Sequence, residues 1–600
     1  MNQKLPARAD LDVRDTWNLQ DIYPTDDAWR EELACVSGEL DHLRAFEGQI
    51  SKSAASLLEM LQFEDVLSEK LDKLGNYARR KADEDTRNAV YQEMSEQFMH
   101  LAVEINQACS FAEPEILSIP DDVLDTFYQT APELEHYRLT ITRARRQKEH
   151  TLSAECEALL AAAGPMSQAP DDIFSMLNDA DMAFPDAVDA DGHKHAVTHG
   201  TFVPLLQSDD RILRHSAFQS LYSVYSQFRN TSAAVLSSQM KQLQFFANAR
   251  KYPSALHAAL DQTEVPVEIY HNLIAAVREN LPAMHKYVRL RKKLLGVDDL
   301  HFYDLYTPMI AGQDVKVSYD EAKKLALEAL TPMGERYLSL LQEGFDNRWI
   351  DVYENQGKRS GAYSAGAYGV HPYVLLNYTS TLDDVFTLVH EMGHSLHTYL
   401  SNETQSITYA NYVIFVAEVA STCNEALLMQ HLLRTTTDKK RRAYLINHFL
   451  EQFRGTLYRQ TMFAEFELWC SEQTRNGQAL TAETLSAKYR ELNRDYYGED
   501  IVLDDEIALE WARIPHFYYD FYVYQYATGF SAAIALSQRI LQEGKPAVDD
   551  YLRFLSGGCA ADPVTLLRGA GVDMASPEPV CNALQLFDQL TDELNHLCEE

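Results

Sequence analysis

A sequence of 600 residues is longer than one hydrophobic core ordinarily serves, so two or more lobes are expected. Its 89 acidic residues against 53 basic ones leave a net charge of -36, which opposes contact with phosphate backbones and argues against a nucleic-acid partner. No run approaches the roughly 20 apolar residues of a membrane span, the polar start Met1 to Asp15 lacks a signal-peptide core, and eight scattered cysteines without a CxxC pair read as reduced thiols; the expectation is a cytoplasmic chain with no membrane partner.

From Trp29 to about Cys109 there is almost no Pro and little Gly, and Leu57, Leu58, Leu61, Val66, Leu67, Leu71 and Leu74 recur at helical spacing. This portion predicts a bundle of antiparallel helices, and the fold class is mainly α. One hairpin is expected where Ala183-Phe184-Pro185 leads through Asp191-Gly192 to His195-Ala196-Val197-Thr198. Helix returns after Ser208-Asp209-Asp210, with Leu213, Ala217, Leu221 and Val224 on one face. The corresponding division is an N-terminal helical lobe at 1–185 and a catalytic domain at 186–600. From Gly357 to Tyr378, glycines and then alternating aromatic and β-branched residues predict a loop followed by one or two strands, with Tyr373 to Tyr378 the clearest.

The next segment, Ser380 to Leu400, carries the chemistry. Ser380 or Thr381 can cap a helix with Asp383 or Asp384 in the box position, and Val385, Leu388, Val389, Met392 and Leu396 form its apolar stripe. His390 and His394 then leave one face about a turn apart, a spacing that places two ring nitrogens on a single zinc ion. Glu391, beside the first histidine, can reach a zinc-bound water without ligating the metal, as a general base in peptide hydrolysis. Gly393 costs helix stability and needs a reason in packing or access.

A third ligand is required. His397 stands seven residues from His390, about 10 Å along the axis, so a role behind the ligands or in packing suits it better. Glu418 lies inside the apolar run Ile414, Phe415, Val416, Val419 of the next helix, where an unpaired charge is expensive and a cation removes the objection. Glu425, on the same face, can hydrogen-bond a zinc-bound histidine. Further on, Arg513 to Tyr526 holds five tyrosines and a histidine. Neutral donors stabilise the oxyanion of peptide hydrolysis; His516 and Tyr519 are the first choice, with Tyr522 and Tyr524 behind them.

Taken together, Trp17 to Pro24, Tyr252 to Leu256, Gly357 to Ser364, the helix around His390-Glu391-Met392-Gly393-His394, Phe415 to Thr422 and Ile514 to Tyr518 resemble oligoendopeptidase F, within the thimet-oligopeptidase-like metallopeptidases. The resemblance implies a two-lobed helical protein with a deep substrate channel, one zinc ion per chain at its floor, and a small β-sheet beside the zinc helix. It also implies Glu418 as third ligand, cleavage limited to short peptides, and a substrate-facing segment from Gly361 to Tyr378, with His371 a contact candidate there. The activity expected is zinc-dependent endopeptidase. The rivals are a zinc carboxypeptidase or other exopeptidase, and a non-enzymatic peptide-binding protein.

Overall fold

Helices begin in this chain where a side chain can take up the first free amides. The structure is a computed structural model describing residues 5–310 and 316–599, so Met1 to Lys4 of the polar start lie outside it. Helix α1 spans Asp26–Gly38 behind Thr25, whose hydroxyl accepts from the Ala28 amide. Helix α2, Ala54–Glu84, starts behind Ser53 in the same manner, and α3 covers Ala89–Cys109. Leu57, Leu61, Leu67 and Leu74 of α2 are buried as their spacing predicts, but Val66 is 55% exposed. Neighbouring helical positions point about 100° apart, so with Leu67 inward Val66 turns to solvent.

The hairpin is present but short. Strands β1 (Ala187–Val188) and β2 (Lys194–His195) pair antiparallel with Ala187 opposite His195. Gly192 takes the left-handed turn conformation at φ 84°. Thr198, read as strand, instead caps a short helix not anticipated from the sequence, α4 at His199–Leu206. Asp210 then caps α5, Arg211–Ala249, whose Leu213, Ala217, Leu221 and Val224 are all buried.

A three-stranded sheet comes next, formed by β3 (Ile350–Asp351), β4 (Tyr363–Ala365) and β5 (Tyr373–Leu375) in the order β3-β5-β4. β5 runs parallel to β3 and antiparallel to β4, which leaves β4 at an edge. Beyond β5 the amides of Leu376 and Tyr378 still donate to the carbonyls of Asp351 and Val352, at 2.8 and 3.0 Å. Further along the chain lie α6 (Leu382–Thr404), α7 (Ile414–Thr435), α8 (Arg459–Arg475) and α9 (Tyr524–Glu543).

Two compact units emerge, each built from three stretches of chain. The first comprises Met1–Glu149, Val315–Leu428 and Leu536–Gly571; the second comprises His150–Asp314, Met429–Ala535 and Val572–Glu600. The division expected at 185/186 falls inside the second unit's first stretch, because a hairpin signal marks local chain reversal and carries no record of which distant stretches pack together.

In the first unit, Tyr373 and Leu375 of β5 share a core with Trp17, Trp29, Leu74, Tyr77 and Phe98. Lys358 anchors the loop before β4: its Nζ lies 2.7 Å from Asp351 Oδ1 and donates to the carbonyls of Tyr353 and Leu376. Both side chains are fully shielded from solvent, and such a buried pair is tolerated because its remaining polar atoms are also bonded. Among the described residues no helix is long and apolar enough to cross a membrane.

Candidate metal centre and active site

Thr381 and Asp384 form the capping box of α6: the Thr381 hydroxyl accepts from the Asp384 amide, and Asp384 Oδ2 accepts from the amide of Thr381 and that of Thr379. With the start fixed, the helical period buries Val385, Leu388, Val389, Met392 and Leu396 and turns His390 and His394 to a common side, ring centroids 4.8 Å apart. Phe415, Val416 and Val419 seat α7 in the core, whereas Ile414 at its start is exposed.

The two helices approach unusually closely. A Cβ built on Gly393 would lie 2.6 Å from Ser421 Cα and 2.9 Å from the Ala420 carbonyl oxygen, so α7 rests against bare backbone. Asn424, fully buried, ties them further: its Nδ2 donates to the Val389 carbonyl at 3.2 Å, and its Oδ1 accepts from the Tyr337 hydroxyl at 2.8 Å. This contact brings Glu418 to the histidines. Glu418 Oε2 lies 3.5 Å from His390 Nε2 and 3.6 Å from His394 Nε2.

That spacing can be tested against a metal. Donors 2.0–2.2 Å from a tetrahedral ion lie about 3.3–3.6 Å from one another, and the observed separations match. His390, His394 and Glu418 offer converging ligand atoms, and the two-nitrogen, one-carboxylate set is that of a catalytic zinc site. The other ring nitrogens are supported too. His390 Nδ1 lies 2.5 Å from Glu425 Oε1, and a hydrogen bond with the Ala417 backbone holds His394.

The electrostatics describe a site short of positive charge. Burial opposes protonation of His390, yet the bond to Glu425 and the charges of Glu425, Glu391 and Glu418 raise its pKa to about 9. His394, desolvated and beside His390, falls to about 3, leaving its nitrogen available as a ligand. Glu391 is 7% exposed; burial pushes its carboxyl up to about 7, with His390 opposing and Glu418 and Glu425 adding. His397 does not join the cluster. Its ring stacks on Tyr412 at 3.7 Å, a packing role.

Of the Gly361 to Tyr378 segment, β4 lies along α6, with the Ser364 hydroxyl 2.8 Å from that of Ser395. His371, between β4 and β5, stacks on Trp349 at 5.2 Å with Nε2 3.0 Å from Asp21 Oδ2.

The tyrosine-rich segment belongs to the second unit. It is a 3-10 turn at Pro515–Tyr518, then an irregular stretch, then α9. His516 groups with Tyr519, Tyr522 and Tyr526 at centroid distances of 5.6, 6.3 and 5.8 Å. Tyr526, whose hydroxyl lies 3.4 Å from His516 Nε2, is a member that spacing alone did not single out. Burial, and then the charge of Arg459, hold the His516 pKa below its ordinary value. Tyr519 is 48% exposed and Tyr522 half-buried, but Tyr524 is 2% exposed and packs on Tyr270, which makes it a core residue. Asp520 and Phe521 between them adopt left-handed φ of 51° and 61°, costly for residues with side chains. The strain is held by the Phe521 amide donating to buried Glu467 at 2.8 Å.

The chain is similar to known proteins over nearly its whole length. A family model described as peptidase family M3 matches residues 204–586, and one described as oligopeptidase F matches 115–184. Oligopeptidase PepF of Bacillus subtilis (strain 168) is 47% identical over 99% of this chain and 89% of its own. Oligoendopeptidase-F from Enterococcus faecium is 39% identical, superimposing with a TM-score of 0.74 over 96% of this chain and 99% of that one. A solved structure from Chlamydophila abortus gives a TM-score of 0.93 at 35% identity, over 99% of this chain and 100% of that one. The chain therefore belongs to peptidase family M3, among the oligoendopeptidase F peptidases, and the reaction of this family is peptide hydrolysis.

Proposed function

We propose that the chain is a zinc endopeptidase that cuts internal bonds of short peptides, with His390, His394 and Glu418 holding the ion. The observation that carries this reading is the 3.5 and 3.6 Å spacing of three donors beside a buried Glu391. A zinc ion held there supplies Lewis acidity toward the scissile carbonyl and makes a neutral-pH nucleophile of water.

The chain's own residues do the rest. Glu391, buried beside the two histidines, takes a proton from the attacking water and passes it to the leaving amine. Glu425 orients His390 and fixes its tautomer. The His516, Tyr519 and Tyr522 group supplies neutral donors for the oxyanion; Tyr524, packed in the core, is not among them. The edge strand β4 offers backbone groups to an extended substrate, a mode of binding that tolerates many side chains.

Metal analysis of the purified chain together with Glu391→Gln tests the proposal. About one zinc per chain is expected, and the variant keeps it while losing about 10²–10⁴-fold in turnover. An active variant, or metal-free protein that still hydrolyses peptides, defeats the reading. A peptide blocked at both ends separates the endopeptidase, which cuts it, from an exopeptidase, which does not.

A further inference from the structure

The second unit holds a concentration of positive charge that is unexpected in a chain of net charge -36. Arg454 donates from Nε and Nη2 to Glu451 Oε2, at 2.9 and 2.8 Å, and Arg291 binds the other oxygen of the same carboxylate. Arg459 Nη2 donates to Glu510 Oε1 at 2.6 Å, while Arg513 reaches that oxygen only at 3.9 Å. Glu510 Oε2 accepts from the Tyr489 hydroxyl, a neutral donor, so neither remaining guanidinium group is bonded to that oxygen. Four guanidinium groups thus share two carboxylates. Asp304, the further acid acting on Arg291, is itself divided between Arg211 and Arg214.

The surplus is shielded from solvent. The side chains of Arg291 and Arg454 are at most 5% exposed, and those of Arg459 and Arg513 are 16% and 17%. Charge placed this deep without a partner is expensive. Arg454, Arg459 and Arg513, with Tyr306 and Glu510, line a cavity that offers ≈ 20 Å³ to the centre of a water-sized sphere, room for one water or one small ion. Aromatic faces fix all three guanidinium groups beside it, Arg454 at 5.0 Å over Tyr306, Arg459 at 4.3 Å over Phe463 and Arg513 at 5.1 Å over Phe202.

We propose that this cavity binds a single small monovalent anion of the halide class, chloride under ordinary conditions, as the counter-ion of Arg454, Arg459 and Arg513. The phenol of Tyr306 responds to the same surplus: burial alone would raise its pKa, yet Arg459 and Arg454 hold it below the ordinary value. An anion in the cavity satisfies the surplus that Glu451 and Glu510 leave. The inference stands apart from the metal centre and does not depend on the proposed reaction.

The test uses the full-length protein prepared in sodium gluconate. Adding sodium chloride at constant ionic strength should raise the unfolding midpoint saturably, by about 2–4 °C. Arg513→Gln should lose that increment, and Arg513→Lys should keep part of it. Crystals of the unsubstituted protein soaked in sodium bromide provide a readout independent of whether a variant folds. An anomalous peak inside the cavity supports the assignment. Asn493 also lines the cavity, with its buried Oδ1 unbonded by protein; a cavity holding only water bonded to that oxygen overturns the assignment, as does a chloride increment that survives undiminished in folded Arg513→Gln.

Discussion

Around His390 and His394 the first unit gathers three carboxylates, Glu391, Glu418 and Glu425, whereas around Tyr306 the second gathers Arg454, Arg459 and Arg513. Titration behaviour separates the two. In the first, a histidine is driven up to about 9 and a glutamate up to about 7; in the second, a buried tyrosine is held below its ordinary value. Burial is the largest cause in each case: the neighbouring carboxylates add to it at Glu391 and prevail over it at His390, and the guanidinium groups prevail over it at Tyr306. The lesson is that an imbalance of clustered charge is readable as a ligand of opposite charge: a divalent cation for the carboxylates, a small anion for the guanidinium groups.

The strongest blow to this comparison falls on the cation. Glu418→Ala removes the carboxylate that faces both histidines, and the expected outcome is loss of bound zinc and of peptide hydrolysis together, read by metal analysis and a quenched-peptide assay. Persistence of both would mean the third donor lies elsewhere. A weaker form comes from Glu425→Gln, which keeps an acceptor near His390 Nδ1 but withdraws the charge. Zinc affinity should fall about 10–100-fold, measured by competition with a chelator, while the fold is retained.

How legible these centres were in the sequence depends on where their residues lie. The cluster of His390, His394 and Glu418 was readable because its parts obey local periodicity: two histidines on one turn, a Thr-x-x-Asp box at the helix start, and an acid within an apolar run. The helix of Glu418 was readable, but the contact bringing it to the histidines was not, since Asn424 looks like any polar helix residue until its partners Val389 and Tyr337 are known. The anion site left no pattern. Arg291, Arg454, Arg459 and Arg513 are scattered over more than two hundred positions and converge only through tertiary folding. Tyr524 misled for a related reason: the tyrosine-rich stretch is not one helix, and the left-handed pair Asp520 and Phe521 redirects the chain before α9 begins.

Within the second unit, two buried glutamates sharpen the role of the arginines. Glu510 is buried, which alone would raise its pKa, but Arg459 and Arg513 bring it below the ordinary value. Glu467 has no such neighbour among the described residues, and burial raises its carboxyl to about 8. Between pH 4.5 and about 8 the folded state then holds a proton that the unfolded chain has released. Stability contributed by this group is therefore full below pH 4.5 and declines as pH rises toward 8. Glu467→Gln abolishes the slope, so its midpoint in urea should gain on the parent as pH increases, by the equivalent of a few kcal/mol at about pH 8. A constant difference between the two proteins across that range would show that Glu467 ionises normally.

The smallest expected effect concerns the backbone contact beneath the cation site. Alanine favours a helix over glycine by about 1 kcal/mol, so Gly393→Ala would stabilise α6 were the position open. Here the added methyl meets Ser421 Cα at 2.6 Å and the Ala420 carbonyl at 2.9 Å, both backbone atoms with no rotamer to yield. Overpacking costs about 1–3 kcal/mol, and relief requires α7 to move away. Because α7 carries Glu418 and Glu425, the same displacement opens the 3.5 and 3.6 Å gaps to the histidines. The substitution should therefore lower the unfolding midpoint and the zinc affinity together, two losses that a purely local clash would not couple. A variant more stable than the parent, with zinc binding unchanged, would mean that the helices are not pressed together at this glycine and that the cation site owes its spacing to other contacts.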